Sequence, residues 1–234
     1  MNWLTSFFGK KPELTPQQVQ RLAAWQALPA PRPGQKLRES RCVVVDVESS
    51  GLNISRDRLI AIGAVAVVNG RAQLNDSLEI VLQQAHVSAK DNILIHGIGG
   101  TAQQEGVPPA DALLAFLEYL GKSPLIAFHV AFDESMISRA LKTFLGLDFR
   151  HEWADLAYVA PVLYPQFARS HRSLDDWMGI FQISNYARHN ALADALSTAE
   201  LLLALGQKLE ARDAASFRGL KSLERERRRQ IQPV

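Results

Sequence analysis

A short run of β-branched residues that contains two acids, VVVDVE at residues 43–48, constrains this chain more than any other feature. Such a run is typical of a strand buried on both faces of a sheet. An unpaired carboxylate at Asp46 would there cost several kcal/mol. Glu48 lies two residues on and points to the same face. The pattern therefore predicts a divalent metal between the two acids, a buried arginine beside Asp46, or a strand that ends early and leaves both acids in water.

Two other places combine acids with the ends of predicted elements. Asp133 follows a short apolar strand near Phe128, and its simpler interpretation is the N-cap of a helix from Glu134. His189 and Asp194 lie in ARHNALADALSTAELL, where the simpler interpretation is a solvated helix start. Taken singly, neither place indicates chemistry.

The hydrophobic pattern predicts strands first and then helices that alternate with a strand. Asn69-Gly70 is a strong hairpin signal between two strand-like runs, so the first three strands should form a meander. Capping boxes are predicted at Thr15 and Ser173. The fold class is therefore α/β, with three layers and helices on both faces of the sheet. The predicted strands are 58–68, 71–82 and 125–128, and the predicted helices are 110–120, 134–144, 154–163, 174–180 and 191–209.

The formal net charge of the 234 residues is only +2, but the charge is unevenly distributed. Residues 1–40 and 218–229 each carry six Lys or Arg against two Asp or Glu, and the intervening residues have a net charge of −6. Basic ends indicate an anionic partner, and an acidic centre indicates a bound cation or a solvated surface. We expect a helical extension with a Pro-rich linker over 1–40, a main domain over 41–212 and a basic tail over 213–234.

Cysteine usage and hydropathy favour a cytoplasmic protein. Cys42 is the only cysteine, so no internal disulfide or zinc cluster is expected. No signal-peptide pattern and no run of about 18 apolar residues is present, so we expect no transmembrane segment.

The acids and the histidine are informative when they are considered together, in their order along the chain. In sequence they resemble the catalytic set of the DEDDh 3′→5′ exonucleases, a DnaQ-like family that includes the proofreading ε subunit of DNA polymerase III. The resemblance extends over residues 41–209 and includes IHGI at 95–98 and SLDDWMGIFQI at 173–183. The five residues that carry it are Asp46, Glu48, Asp133, His189 and Asp194.

This resemblance implies a ribonuclease H-like fold with a mixed five-stranded sheet, and two divalent ions, Mg²⁺ or Mn²⁺. It implies that Asp46 bridges both ions, that Glu48 and Asp194 complete the first site, and that Asp133 supports the second. His189 would be the general base for the attacking water. The residues implied for binding the terminal nucleotide are Ser49, Ser50, Gly51, Leu52, His96 and His129.

The sequence departs from the family at its second motif, where FHVAFD stands in place of the commoner HNAxFD and puts Phe128 and His129 at substrate-contact positions. We expect a 3′→5′ exonuclease that acts on single-stranded 3′ ends, with DNA preferred, and a possible protein partner at the N-terminal extension. An RNA-trimming exoribonuclease is the enzymatic alternative. A catalytically silent nucleic-acid-binding scaffold of the same fold is the alternative from another class.

Overall fold

The computed structural model describes residues 12–30 and 34–231. Residues 1–11 of the predicted extension, 31–33 of its linker and 232–234 of the predicted tail lie outside the described residues. Within the described residues, no helix has the length and apolar character to cross a membrane.

A five-stranded mixed sheet forms the middle layer, with strand order β3-β2-β1-β4-β5. β1, β2 and β3 pair antiparallel, as the predicted meander requires, and β4 and β5 continue the sheet parallel to β1. Asn69 and Gly70 both have positive φ at the β2–β3 turn, as a two-residue hairpin of this type needs. The strands are β1 (Arg41–Ser49), β2 (Leu59–Val68), β3 (Arg71–Val81), β4 (Leu125–Ala127) and β5 (Trp153–Asp155).

Helices cover both faces of the sheet. The odd-numbered residues of β1, such as Val43 and Val45, pack in a core with α1, α4 and α5, whereas Cys42 and Val44 pack in a second core with α6 to α10. The even-numbered face of β1 is therefore the one on which Asp46 and Glu48 lie. The helices are α1 (Pro16–Gln26), α2 (Lys90–His96), α3 (Gly100–Gln104), α4 (Pro109–Leu120), α5 (Val130–Leu145), α6 (Leu156–Leu163), α7 (Leu174–Phe181), α8 (Ala191–Ala204), α9 (Gly206–Ala211) and α10 (Phe217–Ile231).

Both predicted capping boxes are confirmed, at Thr15 before α1 and at Ser173 before α7. Two helix predictions are wrong at their starts. Ala154 pairs with β4, so β5 occupies the first residues of the helix predicted over 154–163. The helix predicted from Glu134 begins at Val130, so Asp133 lies inside its first turn and not at its N-cap. The helix predicted over 191–209 is interrupted after Ala204, where α9 follows α8.

One buried carboxylate fixes the starts of both α5 and α6. Asp155 is 2% exposed, and its Oδ1 accepts hydrogen bonds from the backbone N–H groups of His129 at 3.0 Å and Ala157 at 2.9 Å. Its Oδ2 accepts from the N–H of Val130 at 3.1 Å. Asp155 therefore satisfies backbone donors at two helix N-termini, and this early start of α5 puts Asp133 in the first turn.

The described part of the N-terminal extension packs on the main domain. Trp25 of α1 is 7% exposed, and its indole N–H donates to the carbonyl of Gly121 at 2.7 Å. Arg21 binds both carboxylate oxygens of Glu118 on α4, at 2.7 and 2.8 Å. These contacts bury one face of α1 against the chain itself.

The C-terminal segment is also packed. Leu220 and Leu223 of α10 are buried in the second core, and Glu224, 5% exposed, pairs with Lys221 and Arg228 on the same helix. Part of the positive charge expected of a tail is therefore neutralised within α10. The division of the chain at residues 41 and 213 stays a prediction.

Gly63 of β2 allows α8 to approach the sheet. It lies opposite Asp46 in the β1–β2 register. A Cβ atom at this position would lie 2.1 Å from the carbonyl carbon of Ala191 and 2.1 Å from the amide nitrogen of Leu192. The first turn of α8 therefore contacts the sheet at a place where only a residue without a side chain fits.

We expect Gly63→Ala to destabilise the fold by about 1–3 kcal/mol or more, since the neighbouring atoms are backbone and cannot rotate away. The matched control is Gly179→Ala in α7, where an added Cβ meets nothing within 4 Å. The control should be neutral or slightly stabilising, because alanine is favoured over glycine in helices. Urea unfolding of the three proteins measures the difference, and equal stabilities for Gly63→Ala and wild type would contradict the close approach.

Candidate active site

Three carboxylates converge where β1 meets the start of α8. Asp46 and Glu48 extend from the same face of β1, and Asp194 lies in the first turn of α8. One oxygen from each of the three lies within 4.8 Å of the others. The spacing of two along β1 and the close contact of α8 at Gly63 together produce this cluster.

Asp194 is held by a dense set of donors. It is 4% exposed, and its Oδ1 accepts from the side-chain amide of Asn185 at 2.6 Å. Its Oδ2 accepts from the backbone N–H of His189 at 3.1 Å and from the guanidinium of Arg188. The carboxylate therefore has a fixed orientation before any ligand binds.

The start of α8 is anchored to the sheet. Asn190 is the N-cap, and its Oδ1 accepts from the N–H of Ala193 at 2.9 Å while its Nδ2 donates to Glu79 of β3 at 2.6 Å. His189, one residue earlier, has a left-handed φ of 62° and an exposed side chain. Because left-handed backbone is costly for a residue with a side chain, the surrounding contacts must hold His189 in this orientation.

Asp133 lies next to the cluster on α5, which packs on the other face of the sheet. It is 4% exposed in the first turn of α5, and its charge is the neighbouring charge that acts most strongly on Asp46. The backbone at Val47 hydrogen-bonds to Asp133. Asp133 is thus adjacent to Asp46 but outside the set of three whose oxygens lie within 4.8 Å.

Burial and the charges of neighbouring acids favour the protonated forms of Asp46, Glu48 and Asp133. Burial, followed by the charges of Asp133 and Asp194, raises the pKa of Asp46 well above its usual range. Burial and the charge of Asp194 raise the pKa of Glu48 to about 8. Burial also raises the pKa of Asp133 to about 8. In the absence of a cation, the folded chain therefore retains protons that free carboxyl groups would lose.

A cleft of about 500 Å³ opens above the cluster. Its wall includes Leu52, whose side chain is 87% exposed, and the His129 ring, whose Nε2 lies 2.9 Å from the carbonyl oxygen of Arg172. The residues that line it are Asp46, Val47, Glu48, Leu52, Phe128, His129, Arg172, Ser173, Leu174, Arg188, His189 and Asp194.

The turn after β1 is closed by its own hydroxyl groups. Ser49 donates to the carbonyl of Gly51 at 2.6 Å, and Ser50 donates to Asp57 at 3.0 Å. A Cβ on Gly51 would lie 2.5 Å from an oxygen of Asp57, so the turn can be this tight only with glycine. Both hydroxyls are used to shape the turn, and Leu52 is the residue of this turn that lines the cleft.

His96 does not line the cleft. It is 5% exposed, its Nδ1 accepts from the N–H of Ile98 at 3.0 Å, and its Nε2 lies 3.5 Å from the hydroxyl of Ser88. Burial lowers the pKa of His96, which favours the neutral ring. In this conformation the ring stabilises the HGI turn, and its contact with a nucleotide stays a prediction.

Sequence reasoning did not single out Arg188, Asp175 or Asn185 as site residues. Arg188 forms a salt bridge with Asp194 and binds both oxygens of Asp175, at 2.7 and 3.1 Å. The only signal was indirect, because one interpretation of Asp46 was an acid paired with a buried arginine. The structure contains both of these alternatives, because the acidic cluster that could bind a metal also has an arginine beside it.

The residues fit a hard divalent cation. Three carboxylates with oxygens this close repel unless positive charge lies among them, and carboxylate oxygen is the preferred ligand of Mg²⁺ and Mn²⁺. Asp46, Glu48 and Asp194 can hold one such ion, and Asp133 lies next to Asp46. The family-implied ligand set is therefore compatible with this geometry.

Comparison with known proteins gives a family match. The exonuclease model RNase_T matches residues 43–202, which contain all five residues of the predicted catalytic set. The PolC-type DNA polymerase III of Bacillus subtilis is 30% identical over 168 residues, which are 71% of this chain and 11% of that protein. A DNA polymerase III subunit epsilon-like protein of Rhodobacter capsulatus is 29% identical over 180 residues, 75% of this chain and 25% of that protein. The chain thus spans a small part of these relatives.

Solved structures of similar fold include nucleases bound to DNA. E. coli exonuclease I in complex with a dT13 oligonucleotide has a TM-score of 0.61 at 16% identity, over 75% of this chain and 43% of that one. Exonuclease X in complex with 5′ overhanging duplex DNA has a TM-score of 0.61 at 16% identity, over 78% and 99% of the two chains. The expected ribonuclease H-like α/β fold is confirmed.

The raised pKa values make the metal-free fold less stable at high pH. Glu48 and Asp133 retain protons in the folded state up to about pH 8, whereas unfolding lets them ionise near pH 4 to 5, so stability is lost as the pH rises through this window. Glu48→Gln, which resembles the protonated form, should raise the melting temperature in EDTA by a few degrees at pH 8.5 and change it little at pH 5.

Thermal melts in EDTA at both values test this, with the exposed Glu105→Gln as a control that should follow wild type at each pH. A Glu48→Gln curve parallel to wild type from pH 5 to 8.5 would contradict the electrostatic description of the cluster.

Proposed function

The chain belongs to the RNase_T exonuclease family, and from this premise we propose that it is a metal-dependent 3′→5′ exonuclease that shortens single-stranded ends, with DNA preferred. The observation that carries the proposal is the convergence of Asp46, Glu48 and Asp194 at the base of a cleft that His189 also lines. Acids clustered in this way are costly to the fold and useful to a phosphodiester hydrolase.

Two divalent ions, Mg²⁺ or Mn²⁺, would supply an activated water and neutralise the leaving 3′ oxygen when bound. We propose Asp46 as the ligand common to both ions, Glu48 and Asp194 as further ligands of the first, and Asp133 as support for the second. The donors around Asp194 keep its carboxylate oriented for this task.

His189 is proposed as the general base. Its exposed side chain lines the cleft, and its backbone N–H donates to Asp194, so the backbone of His189 is tied to a proposed metal ligand. A general base must lie within hydrogen-bond reach of the water that it deprotonates, and the position of His189 beside Asp194 in the cleft supports this role.

The terminal nucleotide is proposed to lie against the turn after β1. The exposed Leu52 offers apolar surface to a base or sugar, and the aromatic side chains of Phe128 and His129 also line the cleft. We propose that the backbone at Ser49, Ser50 and Gly51 completes this subsite and that His96 contributes to it. The preference for DNA is supported by relatives whose names include DNA polymerase III.

An exoribonuclease that trims RNA is the second candidate. A silent scaffold of the same fold is disfavoured by the raised pKa values of Asp46, Glu48 and Asp133, because binding alone does not require repelling acids at one point. A cytoplasmic location and a protein partner for the N-terminal extension stay predictions.

The first test is Asp46→Asn, which keeps the size of the side chain but removes its charge. We expect at least a 100-fold loss of activity, since even residues behind metal ligands contribute about 10–100-fold. The substrates are 5′-labelled single-stranded DNA and RNA of one sequence, with Mg²⁺ or Mn²⁺ in parallel. Full activity in Asp46→Asn, or no shortening from the 3′ end by wild type with either ion, would contradict the proposal; faster shortening of RNA would select the second candidate.

His189→Ala should lower kcat by about 10²–10⁴-fold and leave the affinity for DNA in Ca²⁺ nearly unchanged, because a general base acts in the transition state. The pH–rate profile should also lose its acidic limb. If the profile of His189→Ala keeps that limb, another group is the base.

A further inference from the structure

Arg188 is the cationic residue that lies among the acids of the cluster. It offsets the raised pKa of Asp46 and of Glu48, and it forms a salt bridge with Asp194. Asp194 is 6% exposed in its side chain, whereas Arg188 is 29% exposed and lines the cleft. The guanidinium therefore bridges the buried acids and the space in which a substrate would lie.

A second acid holds the other edge of the same guanidinium. Asp175, in the first turn of α7, accepts from Nε at 2.7 Å and from Nη2 at 3.1 Å. This two-point contact uses Nε and Nη2, so Nη1 is the nitrogen directed at Asp194. Because two parallel hydrogen bonds fix the plane of a guanidinium, Arg188 can leave Asp194 and still be held by Asp175.

A divalent ion at Asp194 would have to share that carboxylate with Arg188. The Oδ2 atom already accepts from Arg188 and from the N–H of His189. Like charges a few ångströms apart repel strongly in a half-buried site, so ion and guanidinium compete for the same oxygens. When the ion binds, Nη1 becomes available to pair with an anion that enters the cleft, which Arg188 lines.

We propose that Arg188 holds the place of a divalent cation at Asp194 in the metal-free protein and, when the cation binds, presents Nη1 to a phosphodiester group of the substrate. Arg188 is thus a positioning residue for the metal site and a binding residue for the nucleic acid backbone. The inference rests on the proposed function for the identity of the substrate, but its metal half can be tested without any nuclease activity.

The metal half is tested by titrating the full chain with Mn²⁺ alone and measuring free Mn²⁺ by electron paramagnetic resonance. Arg188→Gln should bind Mn²⁺ about 10-fold more tightly than wild type, which corresponds to about 1.4 kcal/mol. The matched control is Arg172→Gln, which removes the same charge from the same cleft without touching a carboxylate of the cluster, and should change the affinity much less.

Arg188→Lys keeps the charge but loses the planar two-sided contact, and its Mn²⁺ affinity should lie between those of wild type and Arg188→Gln. This variant keeps the test decisive if Arg188→Gln folds poorly. An Arg188→Gln affinity equal to or weaker than that of wild type, with Arg188→Lys also unchanged, overturns the proposal.

The substrate half is tested by fluorescence anisotropy with labelled single-stranded DNA, in Ca²⁺ and in EDTA. Arg188→Gln should lose about 5–10-fold in DNA affinity in Ca²⁺ and almost none in EDTA, where Arg188 remains paired with Asp194. An equal loss in both conditions overturns this half, because it would mean that the arginine contacts DNA irrespective of the cation. A wild type that binds Mn²⁺ but shortens no DNA would instead contradict the proposed function and leave the competition at Asp194 intact.

Discussion

Repulsion among acids that the fold itself forces together is the interaction on which this structure depends. Asp46 and Glu48 lie on one face of β1, a strand whose four valines are all buried, and Asp194 is brought against them by α8. Water cannot fully solvate the three groups, so they are neutral or matched by positive charge. In the absence of a metal ion, bound protons and the guanidinium of Arg188 compensate the negative charge of the acids. Divalent cations would replace the protons.

Several residues outside the cluster hold its acids close together. Gly63 removes a side chain where α8 crosses the sheet, and Asn190 ties the start of that helix to Glu79. On the other layer, Asp155 starts α5 early and so puts Asp133 next to Asp46. A change at Gly63 or Asp155 would therefore alter the chemistry of the site without touching any ligand.

Much of this arrangement could be predicted from local patterns. Asn69-Gly70 predicted the hairpin, the capping boxes predicted the starts of α1 and α7, and the period of two along VVVDVE predicted that Asp46 and Glu48 share a face.

β5 was missed because three residues carry too little periodicity, and Gly63 because a close approach between distant segments leaves no local signal. The partner of Arg188 was equally hidden, since Asp175 lies 13 residues away along the chain and becomes a neighbour only through the packing of α7 and α8. The segment that forms α10 was expected to be a basic tail, because its charges dominate its composition. Only two leucines, Leu220 and Leu223, fix it to the second core.

Asp46, Glu48 and Asp133 are expected to retain protons until a cation displaces them. Calorimetric titration with Mn²⁺ at pH 7, repeated in buffers of different ionisation enthalpy, gives the number of protons released per ion bound. With the pKa values of Glu48 and Asp133 raised to about 8 and that of Asp46 raised well above its usual range, wild type should release more than about one proton, and Glu48→Gln should release fewer. Binding of Mn²⁺ with no proton release at pH 7 would show that the acids are already ionised and would contradict the account.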